Sequence, residues 1–421
     1  MKKSREEVIF KKIKKILEFV WNSPYSSFYK DKYTKAGINL IKDINSMEDF
    51  KKLPYLTRED FINSDPFDRF YLPIDKFKLY SISSGTTSEN RVVILRANEL
   101  NARTKKMSQK AVELGVKSCM IFLVPVIYLD SLEIRHKSIN RYLANLYNMP
   151  STAMLMSKLR VDSMIISPSN LTRLLPHLEK FYDLKKIKYI SMGGEYRSSE
   201  RLSYFKEKFP NAYFNLKYAA TGVGGMGRSC KYLVKQSPQL LHPRPHLYYE
   251  FINPKEESEL VVTHLDNSRE LPLIRYKTGD MVKSYIEDCQ CGEKEVIKVF
   301  GRIGTDVIKA GGIYFYPEPI DDLIVSQKDI LDISNWKLHI YEKDKKNKLP
   351  RLHFQLMLGK GINKSSAKKK IVKAINQKLF FESMESLEEL VKQKRFLPIE
   401  VEFVQSIEYV PPKNINIIYH Q

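Results

Sequence analysis

Five consecutive small residues, Ser83, Ser84, Gly85, Thr86 and Thr87, follow an alternating apolar run from Phe77 to Ile82. A strand that empties into such a loop can surround phosphate oxygens with backbone N–H and side-chain O–H groups, and the glycine lets the main chain come close. The Gly-Lys-Ser/Thr ending of a P-loop is absent, and a plain Ser/Thr-rich turn has the same composition. Further stretches of similar character follow in order. They are Ser191-Met192-Gly193-Gly194-Glu195, the run Tyr213 to Thr221, the segment Ile274 to Asp280, and Gly301-Arg302 through Gly311-Gly312. Each has the form of a loop at a strand end, where α/β folds hold their ligands. One such match is weak, but the ordered series is strong. None of the eight histidines sits in a triad-like pattern with a serine or cysteine nucleophile. Loops of this kind suit the positioning of a phosphate and the neutralisation of its charge.

The elements that must hold these loops are legible from periodicity. Val8, Ile9, Ile13, Ile16, Leu17 and Val20 fall at helical spacing between Glu6 and Trp21. Ser46 and Thr57, each with an aspartate three residues on, predict helix starts. From about residue 79 short apolar runs alternate with polar helical stretches: Met120 to Val124, Met164 to Ile166, Ile187 to Met192 and Glu259 to Thr263. That alternation argues for an α/β layered domain. After Gly301 the pattern changes. Strands are expected at Trp336–Tyr341 and Leu352–Leu358, a helix from Lys364 to Phe381 with Ile371, Ile375 and Leu379 inward, and a strand from Ile399 to Ile407. This ββαβ order describes a small α+β domain. The reading is a large domain over residues 1–300 and a small one over 301–421, as the length of 421 residues also suggests.

Bulk composition excludes several classes. A hydrophobic fraction of 43% belongs to an ordinary folded protein. The longest apolar candidate, Cys119 to Leu129, is about half the roughly 20 residues needed to cross a bilayer, so it reads as a buried strand. The amino terminus lacks the apolar core of a secretory signal, which predicts a cytoplasmic protein with no membrane partner. Four cysteines in this length make no disulfide framework. The net charge of +21 comes from lysines scattered end to end rather than one basic arm, so nucleic acid is not the expected partner. A positive surface suits ATP, coenzyme A or an acidic carrier protein.

The motif series resembles the adenylate-forming superfamily, and within it the phenylacetate-CoA ligase-like branch. Tyr25 to Tyr29 and Leu53-Pro54-Tyr55-Leu56-Thr57-Arg58-Glu59-Asp60 are similar to that branch's amino-terminal region, and Val410 to Lys413 to its end. The resemblance implies an enzyme that activates a carboxylic acid with ATP and Mg2+ as an acyl-adenylate. A thiol or amine acceptor, such as coenzyme A or a carrier protein, then takes the acyl group, and the small domain is mobile between the two half-reactions.

Residue by residue, the resemblance puts Ser83, Ser84, Gly85, Thr86 and Thr87 on the ATP phosphates. Gly194 and Glu195 go against the adenine, Tyr218 stacks beside it, Asp280 meets the ribose hydroxyls, and Arg302 meets the nucleotide at the hinge. Thr221, Lys309 and Lys413 are the catalytic candidates. Val124, Pro125, Tyr128, Tyr218 and Ala219 would wall the acyl pocket, with room for an aryl acid. Gly222 stands where the family has a magnesium-binding glutamate, and Ile417 where it has a catalytic lysine. The alternative is thus a degenerate relative that binds nucleotide or acyl-adenylate without forming it. Some relatives with a similar Cys-x-Cys-Gly carry structural zinc. Here Cys289 and Cys291 with Cys230 and His242 would be a Cys3His set, His246 substituting for His242; ordinary reduced cysteines are the other reading.

Overall fold

The computed structural model describes residues 5–82, 92–97, 109–122, 138–252, 257–266, 270–286, 288–343, 348–381, 385–409 and 416–420. The loop Ser83 to Thr87, the candidate walls Val124, Pro125 and Tyr128, and Lys413 lie outside these residues.

Four helices open the chain: α1 (Arg5–Trp21), α2 (Phe28–Lys35), α3 (Met47–Lys52) and α4 (Arg58–Ile62). Helix α1 buries Ile13, Ile16, Leu17 and Val20 as its spacing predicts, while Val8, in the first turn, is exposed. Both predicted starts carry full capping boxes. Ser46 accepts from the Asp49 N–H and Thr57 from the Asp60 N–H, each aspartate reaching back to the cap. A two-stranded ribbon follows, β1 (Phe77–Ile82) against β2 (Val93–Ala97).

The large sheet is built next. Its parallel half contains β3 (Ser118–Ile121), β4 (Asn140–Leu143), β5 (Ser163–Ile166), β6 (Tyr189–Met192) and β7 (Tyr213–Ala220). Helices α5 (Met149–Lys158), α6 (Pro168–Phe181) and α7 (Ser199–Lys208) cross over between its strands. The antiparallel half continues with β8 (Gly224–Arg228), the short helix α8 (Leu233–Gln236), β9 (Leu240–Pro243), β10 (Leu247–Phe251), β11 (Ser258–His264), β12 (Tyr276–Ile286) and β13 (Glu295–Arg302). The strand order is β10-β11-β12-β13-β9-β8-β7-β6-β5-β3-β4. Near-continuous burial of β3, β5 and β6 is what a parallel half covered on both faces demands.

Beyond Arg302 come the ribbon β14 (Ile308–Ala310) and β15 (Ile313–Phe315), helix α9 (Pro317–Val325), and strands β16 (Leu331–Tyr341) and β17 (Arg351–Leu358). Helices α10 (Lys364–Lys378) and α11 (Leu387–Lys392) and strands β18 (Glu400–Phe403) and β19 (Ile417–His420) complete the chain. The expected ββαβ order needs one correction: β19 returns parallel to β16 and closes a four-stranded sheet, β18-β17-β16-β19. Four residues are too short a run for periodicity to reveal. The expected strand over 399–407 shrinks to Glu400–Phe403, because only these residues pair with β17. The C-terminal elements have their own core, centred on Trp336, Leu338, Phe354, Ile371, Ile375 and Leu390.

That second core is tied to the large sheet's helices by a buried polar joint. Arg201 on α7 donates to both carboxylate oxygens of Asp321 on α9, Nε to Oδ2 at 2.9 Å and Nη2 to Oδ1 at 2.6 Å. Ser198 and the Trp336 indole donate to the same carboxylate, at 2.6 and 2.8 Å, and Arg201 also reaches the Ile333 carbonyl. Burial alone would neutralise both partners. Their mutual attraction and hydrogen bonds reverse this, holding the Asp321 carboxyl below and the Arg201 guanidinium above their ordinary ranges. Around the joint, Tyr196 donates to Asn416, Arg173 lies 3.9 Å over the Tyr409 ring, and the Glu200 N–H meets Asp322.

Asp321→Asn leaves Arg201 buried against a neutral partner and should cost about 3–5 kcal/mol, read as a fall in the denaturation midpoint. The double change Arg201→Met with Asp321→Leu should cost less than either single change. Since the Asp321 carboxyl is depressed, this stabilisation is complete above about pH 4. It disappears only as pH falls through the lowered value. A single change no more harmful than the double one would contradict this account.

Candidate functional site

The site forms where β7, β12 and β13 meet. Asp280 lies on β12 directly opposite Arg302 on β13, and its carboxylate is buried. Tyr218, from β7, donates its hydroxyl to Asp280 Oδ2 at 2.6 Å, and Arg302 Nε donates to Oδ1 at 3.3 Å. The Asp280 N–H is fixed in turn by Thr278 Oγ1 at 3.1 Å. Two residues singled out from separate motifs thus converge on the carboxylate of a third. Burial and then the Asp280 charge push the Tyr218 phenol well above its usual range, so it stays protonated and a donor. The same carboxylate holds the Arg302 guanidinium firmly charged. A carboxylate has about four acceptor positions; two are committed to protein donors, and the others can meet vicinal hydroxyls.

The turn after Arg302 is constrained by glycine. Gly301 has φ +132°, and a Cβ there would lie 2.7 Å from the Asp306 Cβ. Asp306 in return accepts from the Arg302 N–H at 3.0 Å. Any side chain at 301 would displace both Arg302 and the turn that leads into the C-terminal elements.

The other candidates take different places. Gly194 and Glu195 form the turn after β6. The Glu195 carboxylate accepts from Ser169 N and Oγ, at 3.0 and 2.7 Å, in the first turn of α6, where the helix dipole favours an anion. Thr221 opens the turn after β7, with Ala219 exposed two residues before it. Lys309 is exposed on β14, its ammonium 5.1 Å over the Tyr314 ring. Ile417 is buried in the core of the C-terminal sheet. The residue before it, Asn416, is the one that reaches back, accepting from Tyr196 beside Glu195 and donating to the Trp336 carbonyl at 2.7 Å. Sequence reasoning missed Asn416, as no local pattern marks it.

At the other end of the β12–β13 hairpin, Cys230, His242, Cys289 and Cys291 present four ligand atoms within 4.8 Å of one another. Cys230 Sγ and Cys289 Sγ are 3.7 Å apart, far from a disulfide bond. That separation matches the edge of a tetrahedron with metal–sulfur bonds of about 2.3 Å. His242 Nε2 is 3.1 Å from Cys291 Sγ, while Nδ1 faces the Glu295 carbonyl at 2.8 Å. That carbonyl can only accept, so Nδ1 carries the proton and Nε2 is left with its lone pair toward the thiols. Gly292, at φ +90°, closes the tight turn through its N–H to the Cys289 carbonyl. The residues fit a metal ion. It is His242, not His246, that completes the set.

Among the described residues no helix is long and apolar enough to cross a membrane. No family model matches the chain. Two curated proteins named phenylacetate-coenzyme A ligase are similar to it. One, from Escherichia coli (strain K12), is 23% identical and covers 70% of this chain and 71% of its own length; one from Pseudomonas putida is 21% identical and covers 74% of each. Among solved structures, 2-hydroxyisobutyryl-CoA ligase in its postadenylation state superposes with a TM-score of 0.74 at 15% identity, over 99% of this chain and 90% of that one. The same ligase in its thioesterification state scores 0.56. The C-terminal sheet therefore sits against the large one much as in the former. The fold is thus that of adenylate-forming ligases, and the distant sequence relatives bear the name of one, phenylacetate-coenzyme A ligase.

Proposed function

We propose that this chain activates a carboxylic acid, an aryl acid first of all, by attack on the α-phosphorus of ATP, and passes the acyl group to a thiol or amine acceptor such as coenzyme A or a carrier protein. The observation that carries the reading is the buried Asp280 carboxylate, braced by Tyr218 and Arg302. Ribose hydroxyls are donors, and a buried carboxylate with acceptor positions to spare is suited to receive them. In this reading Ser83 to Thr87 hold the phosphates with magnesium, Tyr218 flanks the base, and Gly194 and Glu195 meet it through their main chain. The Glu195 side chain serves Ser169 instead. Thr221 and Lys309 or Lys413 supply the charge-stabilising contacts, and Ala219 belongs to the acyl wall with Val124 and Tyr128. Residues 1–300 act as the large domain and 301–421 as the small mobile one, turning at Gly301–Arg302. The Cys3His cluster holds structural zinc, which supplies no chemistry to the reaction.

One observation favours the binder that does not adenylate. Ile417 is fully committed to packing, and the polar residue beside it is the uncharged Asn416. Loss of a cation aimed at developing charge costs on the order of 10²–10³ in rate.

Acid-dependent ATP–pyrophosphate exchange separates the two readings. The ligase should exchange with at least one aryl acid, and Asp280→Ala should lower the rate by about 10²-fold or more. Folded protein that is stabilised by ATP yet exchanges with no acid would establish the binder instead. For the metal, elemental analysis of purified protein should give about one zinc per chain. Cys289→Ser and Cys291→Ser should each lose it and lower the melting temperature; stoichiometric absence of metal from well-folded protein would rule the site out.

A further inference from the structure

The C-terminal sheet carries a cluster of imidazoles on the face turned away from its core. Burial alternates along β16 and β17: Leu338, Ile340, Leu352 and Phe354 point inward, and His339, Tyr341, His353 and Gln355 point the other way. His339 stands directly opposite His353 in the β16–β17 register, while β19 sets His420 beside Tyr341 on the other flank. Three of the chain's eight histidines thus share one patch. The ring centres of His353 and His420 lie 5.7 and 5.3 Å from that of His339, and Tyr341 stacks on His420 at 4.3 Å.

The hydrogen bonds on this face decide which ring nitrogens carry protons. Gln355 Nε2 donates to the Glu402 carboxylate at 3.1 Å, so it is Gln355 Oε1 that faces His339 Nε2, also at 3.1 Å. An amide oxygen only accepts, so His339 Nε2 holds the proton and Nδ1 keeps its lone pair. His353 Nε2 faces the same carboxylate at 3.2 Å and is a donor for the same reason. His420 Nε2 lies 3.0 Å from His339 Nδ1 and donates to it. Burial pushes the His339 imidazole below its ordinary range. Gln355 opposes this, but His420, His353 and Lys337 add to it, so the ring is neutral near pH 7. Glu402 leaves a negative charge beside the rings, whereas the nearby Arg351 is offset by Glu400 at 2.7 Å.

We propose that His339 and His420, with His353 beside them, form a second metal site, for a divalent transition ion of the zinc, nickel or copper type. It is separate from the Cys3His cluster and independent of the adenylating reading. Two nitrogens bound to one ion at about 2.0–2.1 Å stand roughly 3 Å apart, and these two are 3.0 Å apart. The ion takes the lone pair of His339 Nδ1 and, once His420 moves its proton to Nδ1, that of His420 Nε2. A ligand histidine is oriented by a partner on its distal N–H, and Gln355 and Glu402 hold His339 and His353 in that way. Imidazole donors suit zinc, copper and nickel rather than magnesium or calcium. Bound there, the ion clips β19 to β16, on the strand that begins just after Asn416. Held by fewer ligands than the Cys3His ion, it should be lost on purification.

The test is calorimetric titration of nickel(II) into the untagged full chain at pH 7.5, with melting temperature as the second readout. The wild type should bind nickel saturably and melt higher with it. His339→Ala and His420→Ala should each weaken binding at least about tenfold and lose that rise, and Gln355→Leu should weaken it about 10- to 100-fold. Cys291→Ser should leave nickel binding at the histidines unchanged. Equal nickel affinity in the wild type and both histidine variants would overturn the site, as would loss of binding in Cys291→Ser alone. Should a histidine variant fail to fold, Gln355→Leu decides: unaltered affinity there reduces the cluster to a hydrogen-bonded pair.

Discussion

The pairing of β12 with β13 is the constraint on which both polar centres depend. At one end of the hairpin Asp280 stands opposite Arg302; at the other, Cys289 and Cys291 lie in the connecting turn. The two ends are separated by about 20 Å of strand, yet one register serves both. A slip of a single residue would turn Asp280 away from Tyr218 and carry Arg302 to the opposite face. Cys230, which follows β8, and His242 on β9 bring the turn's two thiols against the neighbouring strands, and a metal ion held there would fix the register at a distance from Asp280. The bulge between Met281 and Val282 sits next to Asp280, where extra local twist can aim the carboxylate at Tyr218.

A second constraint governs where the C-terminal elements can sit. Their core does not merge with the large sheet's core, and the joint between them is polar: Arg201 with Asp321, Tyr196 with Asn416, Arg173 over Tyr409. Apolar contact would permit a continuum of sliding positions. A bidentate buried ion pair permits one, because any other exposes Arg201 and Asp321 to each other's absence. The better superposition on a postadenylation structure than on a thioesterification one agrees with this.

Much of this was legible in the sequence, for identifiable reasons. The capping boxes at Ser46 and Thr57 are local, so three residues suffice to read them. Tyr218, Asp280 and Arg302 belong to motifs that state their chemistry, and the Cys289–Cys291 spacing announces a turn with paired thiols. What stayed hidden depends on contacts distant in the chain. Strand β19 is four residues long and is defined only by its pairing with β16. Asp321 and Arg201 are 120 positions apart, and nothing near either one marks it as half of a buried pair. The Glu195 side chain looked available for a ligand because its partner, Ser169, is 26 positions away in the first turn of α6.

Strand β7 shows how a period of two sorts neighbouring residues onto opposite faces of one short segment. Tyr218 is drawn toward Asp280 by a 2.6 Å hydrogen bond, and that fixes its neighbours on the other face. Lys217 and Ala219 then cannot contribute to the nucleotide side, whatever their chemistry. The main chain of the same strand is used as well: the Lys217 carbonyl accepts from the buried Arg197 guanidinium at 2.9 Å, so the residue that faces away from Asp280 still helps to hold the strand that aims Tyr218.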